Sequence, residues 1–260
     1  MLTTLEDVII LVLSLAFAVA VLWTLQYFWP GARRLPHNEL VGWHLTVLGT
    51  TYAVIIGFML YAVWTEYQLA ELNADNEANS LVNVYRLADG LPDAQRDQIH
   101  KLARDYAEAV TYQEWPAMHD GKESLQAHPV VMKLWAALTQ PQIQPATPTQ
   151  QASANLTLAE LSTMTRFRRV RHLEDASQLP TILWVVMIFG GLLTVLFTSL
   201  FGCESFWLHL VQVLALTSLI CLILLAIADI DRPFRGSVHV EPTGFLRAIQ
   251  TFSDLPANAP

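Results

Sequence analysis

Four long stretches of the chain contain no Asp, Glu, Lys or Arg. They lie at residues 8–28, 41–65, 181–202 and 206–228. A bilayer core of about 30 Å needs roughly 20 apolar residues in a helix, and each stretch meets that length. Because lipid offers the backbone no hydrogen-bond partner, each stretch is predicted to be a transmembrane helix.

The polar segment between the second and third apolar stretches has the pattern of helices. In its middle, apolar residues from Ile99 to Val110 recur at helical spacing. Neither Gly nor Pro occurs from Glu66 to Asp89, so the second membrane helix is predicted to continue until Gly90. The predicted fold is all-α, with four transmembrane helices and a helical cytosolic domain inserted between the second and third. The predicted parts are a first hairpin 1–65, the cytosolic domain 66–179, a second hairpin 180–231 and a cytosolic tail 232–260.

Arginines near the membrane set the predicted orientation, because cytoplasmic loops carry an excess of basic residues. Four spans place both termini and the 66–179 domain on the same side. Seven arginines lie close to the membrane on that side, against two between the first and second helices. Both termini and the inserted domain are therefore predicted to be cytoplasmic. The seven are Arg166, Arg168, Arg169, Arg171, Arg232, Arg235 and Arg247, and the two are Arg33 and Arg34.

Charge and composition argue against several classes of function. The net charge is −8, which argues against a nucleic-acid partner, since such proteins need a basic surface. Cys203 and Cys221 lie at different depths of the membrane, so no disulfide framework is expected. No nucleotide-binding, metalloprotease or hydrolase motif is present, and no two histidines have metal-ligand spacing. We expect no enzyme activity, no metal site and no cofactor.

The second apolar stretch carries small and hydroxyl side chains on a single helical face. Thr46, Thr50, Ala53 and Gly57 recur at helical spacing, and Tyr61 continues the same face. Such residues let helices approach closely, and they can also line a narrow polar pathway. As pore-lining candidates we take these five residues and Phe58, with Phe58 and Tyr61 as a constriction near the inner end.

Polar side chains follow the same helical spacing beyond the membrane. Glu66, Asn73 and Glu77 would form stacked rings around an axis shared by several copies, and acidic rings attract cations. These three residues are the predicted cytosolic mouth of a pore. The alternative is an exposed polar helix face with no such role.

A basic run precedes the third membrane helix. A basic cluster at this position is typical of a topology signal or of contact with anionic lipid, and a regulatory ligand site is the alternative. The predicted membrane-surface cluster consists of Arg166, Arg168, Arg169 and Arg171.

Several segments together resemble the bacterial bestrophin-like membrane family, a domain of unknown function. They are residues 77–81, 85–92, 113–117, 134–138, 144–148 and 231–236. The resemblance implies two membrane hairpins around a cytosolic helical domain, in the bacterial cytoplasmic membrane. It also implies a distant link to bestrophins, which are pentameric anion channels gated through a cytosolic neck. The chain has no clear counterpart of their hydrophobic neck or calcium clasp, so no residue role is carried over.

Together these observations predict a homo-oligomeric ion channel or channel-like pore that prefers cations. Its partners would be membrane lipid, inorganic ions and further copies of the same chain. The alternative function is a non-conducting membrane sensor or scaffold that acts through its cytosolic helices.

Overall fold

A computed structural model of the protein describes residues 4–122, 124–140 and 147–254, and within them every regular element is helical. Short 3₁₀ turns at Leu35–His37 and Ala88–Gly90 and a π-helical turn at Val110–Glu114 connect ten α-helices. The predicted all-α class is confirmed. The helices are α1 Thr4–Phe28, α2 Gly31–Arg34, α3 Asn38–Leu87, α4 Asp93–Ala109, α5 Trp115–His119, α6 His128–Thr139, α7 Pro148–Ala176, α8 Thr181–Leu200, α9 Phe206–Ile230 and α10 Thr243–Asp254.

Four segments are long and apolar enough to cross a membrane, as the sequence predicts. Three are nearly whole helices, namely Leu5–Phe28, Thr181–Leu200 and Phe206–Ile230. The fourth is the apolar first part of α3, within the candidate span Gly31–Gly90. The most apolar windows of the four spans have mean hydropathies between 1.8 and 2.8.

Helix α3 is a single α-helix of 50 residues. At 1.5 Å per residue it is about 75 Å long, more than twice the thickness of a bilayer core. The predicted continuation of the second membrane helix is therefore confirmed. The helix ends just before Gly90 and Pro92, because glycine favours chain reversal and proline cannot continue the backbone hydrogen bonding.

The chain divides into two compact units, and α3 contributes a segment to each. Residues 2–66 and 178–231 form the first, here called the membrane unit. Residues 67–177 and 232–260 form the second, here called the polar unit.

The core of the membrane unit is made where α1, α8 and α9 pack together. Ala18, Leu22, Val195 and Val213 are buried there. A second cluster joins α3 to α8 and α9, and it contains Tyr52, Ile56, Val63, Met187 and Ile227.

Two adjacent glycines of α8 allow this contact with α3. A Cβ atom on Gly190 would lie 2.5 Å from the Tyr52 ring, and a Cβ atom on Gly191 would lie 2.9 Å from the Tyr52 hydroxyl. Any larger residue at either position would push α3 away from α8. The glycine pair therefore fixes which side of α3 is buried within the membrane unit.

In the polar unit, the second half of α3 packs with α4, α6, α7 and α10 around one hydrophobic core. The C-terminal segment belongs to this core, since Phe245 and Phe252 of α10 are each only 1% exposed. The loop before α10 is held by Trp115, whose Nε1 donates to the Val240 carbonyl at 2.9 Å. Of the segment predicted as a tail at 232–260, the described part up to Asp254 thus contributes to the core of the polar unit.

Candidate functional site

The small-residue face predicted on the second membrane helix is exposed in the membrane unit. Thr46, Thr50, Ala53 and Gly57, here called the α3 stripe, all lie on its surface. A Cβ atom added to Gly57 would meet no other atom within 4 Å. Phe58 and Tyr61 are also exposed, at 66% and 70%. The side of α3 that carries Tyr52 is buried, whereas the α3 stripe is exposed. A single chain therefore leaves the stripe uncovered within its own membrane unit.

Thr46 of the α3 stripe and the nearby Thr51 use their hydroxyl protons internally. Thr46 Oγ1 donates to the Gly42 carbonyl at 2.8 Å, and Thr51 Oγ1 donates to the Val47 carbonyl at 2.8 Å. A threonine bonded in this way keeps its oxygen lone pairs available on the helix surface. These oxygens can accept hydrogen bonds from water or contact a cation, whereas lipid offers them nothing.

The N-terminal end of α3 is fixed by polar contacts inside the membrane unit. Asn38 Nδ2 donates to the Gly202 carbonyl at 2.8 Å, and the Gly202 amide donates to Asn38 Oδ1 at 2.6 Å. Arg34, 1% exposed, donates to the Ser199 carbonyl at 2.5 Å and to Gln26 Oε1 at 3.0 Å. Arg34 therefore links the two membrane hairpins through buried hydrogen bonds.

The three residues predicted to form a cytosolic mouth have three different environments. Glu66 is exposed at the end of the membrane unit. Asn73 is half-buried in the polar unit, where its Nδ2 donates to Glu174 Oε1 at 2.6 Å. Glu77 is fully buried and ion-paired, so its assignment to an exposed acidic ring is wrong. Of the three, Glu66 alone keeps the exposure that a role at a pore requires.

Glu77 belongs to a buried ion network of five side chains in the polar unit. Arg171 holds it with Nε at 2.8 Å from Oε2 and Nη2 at 3.1 Å from Oε1, and the Tyr106 hydroxyl donates to the same Oε1. Arg168 makes a two-point contact with Glu114, at 2.8 Å to each oxygen. Arg171 Nη2 also reaches Glu114 Oε2 at 3.2 Å, which joins the two pairs.

None of the five residues is more than 5% exposed, and together their side chains hold two negative and two positive charges. Burial alone would raise the pKa of Glu114, but hydrogen bonds from Arg168 and the charge of Arg171 outweigh it and lower that pKa. Burial would lower the pKa of Arg171, but Glu77 outweighs it and raises that pKa. Burial, and then the charge of Glu77, raise the pKa of Tyr106, which therefore remains a hydrogen-bond donor.

A local irregularity of the backbone brings Glu114 into the network. The helix that begins as α4 widens into the π-helical turn Val110–Glu114, directly before α5 and Pro116. In a regular α-helix the ring of Pro116 would clash with the carbonyl four residues earlier, and a wider turn avoids this. Glu114 then also accepts a hydrogen bond from the Ala127 amide at 3.0 Å.

The predicted membrane-surface basic cluster is divided by the structure. Arg166 and Arg169 are exposed, but Arg168 and Arg171 are core residues of the polar unit. The assignment of Arg168 and Arg171 to lipid contact is therefore wrong. The sequence did contain a signal for this, because Leu161, Met164, Arg168 and Arg171 share one helical face and all four are buried.

The α3 stripe and the buried ion network are suited to different kinds of interaction. The α3 stripe is an exposed, weakly polar surface that suits water, ions or another helix. The ion network is a closed, charge-balanced structure that joins α3, α7 and the π-helical turn. Across the described part of the chain, no group of three His, Cys, Asp or Glu side chains is placed to hold a metal ion.

An all-helical membrane protein with four spanning helices is the class that this fold defines. A family model described as a Bestrophin-like domain matches residues 12–245. The chain therefore belongs to the Bestrophin-like family, and the resemblance found in the sequence is confirmed.

Solved structures show the same fold at low sequence identity. A bestrophin homologue from Klebsiella pneumoniae matches with a TM-score of 0.67 at 11% identity, covering 97% of this chain and 99% of that chain. A variant of that homologue matches with a TM-score of 0.67 at 12% identity, with the same coverage. A variant described only as a membrane protein matches with a TM-score of 0.69 at 10% identity, covering 98% and 99%. A search of curated proteins found no match.

Proposed function

We propose that the protein is a subunit of a homo-oligomeric ion channel in the bacterial cytoplasmic membrane. Several copies surround an axis lined by the α3 stripe, with Phe58 and Tyr61 as a constriction near its inner end. The polar unit lies in the cytoplasm together with both termini. Lipid surrounds the outer surface of the membrane helices.

The observation that carries this proposal is the exposure of the α3 stripe. A helix surface that faces lipid is normally covered by large apolar side chains, and Thr46, Thr50, Ala53 and Gly57 provide few of the dispersion contacts that such side chains make. If a second copy of the chain or a water-filled axis covered the stripe, these small residues would no longer have to face lipid. A hydrated axis is favoured because water there can also donate to the surface oxygen of Thr46, which an apolar partner cannot do.

Family membership supports the same conclusion, since bestrophin homologues are ion channels. The likeness to solved bestrophin homologues extends over nearly the whole chain. The four membrane helices and the polar unit are therefore all shared with channel relatives.

Ion flux through purified protein in liposomes tests the proposal directly. We expect a cation flux that depends on the amount of protein and is absent from protein-free liposomes. If no ion passes at any voltage or pH, the alternative of a non-conducting sensor or scaffold replaces the channel.

A preference for cations is proposed to depend on Glu66. This carboxylate is exposed at the end of the stripe-bearing segment, and a ring of such groups concentrates cations at a pore entrance. Replacing Glu66 with Gln is expected to lower the permeability ratio of K⁺ over Cl⁻ by about two- to fivefold at low salt, and less at high salt. Reversal potentials in asymmetric KCl measure this ratio.

The matched control is Glu108→Gln, which removes an equally exposed carboxylate from α4. It should leave the reversal potential unchanged. An equal shift for both variants would mean that overall protein charge, rather than a ring at the pore, sets the selectivity.

The proposed orientation has a separate test. Two of the seven arginines counted on the cytoplasmic side, Arg168 and Arg171, are buried in ion pairs, and Arg34 on the opposite side is buried too. The remaining excess still favours a cytoplasmic polar unit. In a background lacking Cys203 and Cys221, Asp120→Cys should be protected from a membrane-impermeant maleimide in intact cells.

In the same background, Leu35→Cys should be labelled from outside, and both positions should react after the cells are opened. Labelling of position 120 with protection of position 35 would invert the topology.

A further inference from the structure

A cleft of about 620 Å³ opens on the polar unit beside α7. Arg169, His172 and Asp175 of α7 line one side of it. Lys122 lies in the loop that leads to α6, His128 is the first residue of α6, and Arg235 completes the lining from the segment after α9. Six of the 13 described lining residues are Lys, Arg or His, and one is acidic.

The charges of the cleft do not cancel. Asp175, the one acid among the described lining residues, is already paired with Arg235 at 3.2 Å. Arg169 has no ion-pair partner among the residues that the structure describes. Among the described residues, Lys122 pairs with the exposed Asp120 at 3.0 Å, and the surrounding water screens this pair. In a chain with a net charge of −8, this excess of positive charge is a local feature.

Two nitrogen atoms of the lining have no hydrogen-bond partner among the described residues, although they are out of contact with solvent. They are Nε2 of His172 and Nε of Arg235. Glu114 Oε2 lies 3.8 Å from His172 Nε2, too far for a hydrogen bond. Buried polar groups are usually paired, so these two nitrogens have hydrogen-bonding capacity that no described group uses.

We propose that this cleft binds a small soluble organic anion that carries a carboxylate or phosphate group. Arg169, Arg235 and His172 contact the anionic group, because guanidinium and imidazole nitrogens match its oxygens. Met118 and Leu125 provide an apolar wall for the carbon skeleton. The volume lies within the range of about 300–1,000 Å³ that is usual for small-molecule sites. This site does not depend on conduction.

Titration calorimetry on the detergent-purified full-length protein tests the proposal, with citrate and glycerol 3-phosphate as probes. We expect saturable binding of at least one probe, with a Kd of about 1 mM or tighter, that weakens as salt is added. Arg169→Gln should reduce the affinity by about tenfold or more, because it removes a charged donor from the site. Arg169 is exposed, so this variant should keep the melting temperature of the parent protein.

Arg166→Gln is the matched control, since Arg166 lies on the same helix, is equally exposed and does not line the cleft. Its affinity should stay within about twofold of the parent value. The absence of saturable binding of either probe overturns the proposal, as does an equal loss in both variants. Tighter binding of dihexanoyl phosphatidylglycerol than of both soluble probes would assign the cleft to a lipid headgroup and overturn a soluble ligand.

Discussion

Replacing Glu77 with Gln is expected to destabilise the polar unit by about 3–5 kcal/mol, the usual effect of breaking a buried ion pair. Glu77 and Arg171 are both fully buried, and the network is neutral only while both carboxylates are present. The substitution leaves one positive charge without compensation in the core. Denaturant unfolding of the full-length protein in mild detergent, followed by circular dichroism, measures the loss.

The control for this prediction is Glu71→Gln, on the same helix but exposed. A change within about 0.5 kcal/mol is expected there, as for surface substitutions in general. Replacing Glu77 and Arg171 together by Met should recover most of the lost stability, because the Arg168–Glu114 pair remains neutral. If Glu77→Gln lowers cation flux at unchanged stability, its carboxylate acts in the pore and not in the core.

Replacing Thr50 with Leu is expected to reduce ion flux by about tenfold or more. Thr50 is exposed in the middle of the α3 stripe, and every copy in a ring would direct the larger side chain toward the axis. A hydrophobic constriction expels water from a narrow pore and so blocks ions. Flux in liposomes containing equal amounts of assembled protein gives the comparison.

Thr51→Leu is a nearly ideal control, because it makes the same chemical change one residue further along the same helix. Thr51 is exposed as well, but it points about 100° away from Thr50 around the helix axis. Its substitution should leave flux close to that of the parent protein. A block by Thr51→Leu and not by Thr50→Leu would assign the pore to a different face of α3.

The sequence was sufficient for features that depend on local pattern. Apolar stretches of sufficient length gave the four membrane helices, and the lack of Gly and Pro before Gly90 gave the uninterrupted α3. The spacing of Phe245 and Phe252, which places both on the buried face of α10, is a local signal of the same kind. Each of these features is determined by neighbours within a few turns of the same helix.

The ion network could not be predicted from such local patterns, because its members are distant in the chain. Arg171 and Glu77 are separated by 94 positions, and no periodicity links them. A charged residue on the buried face of a helix suggests a partner in the core but does not identify it. The buried position of Glu114 was still harder to predict, since it depends on a π-helical turn. The only local signal of that turn is Pro116.

That π-helical turn limits where residues can be inserted into or deleted from the chain. A π-helical turn is equivalent to an α-helix with one residue inserted. Deleting a residue between Val110 and Glu114 would remove the wider turn that accommodates Pro116, and it would rotate the helix before this segment by about 100° relative to Glu114. Tyr106 and Glu114 could then no longer both face the arginines of α7. Gain or loss of a single residue here is therefore tolerated only together with changes at Arg168 and Arg171, which makes the segment a place where length and core charge must evolve together.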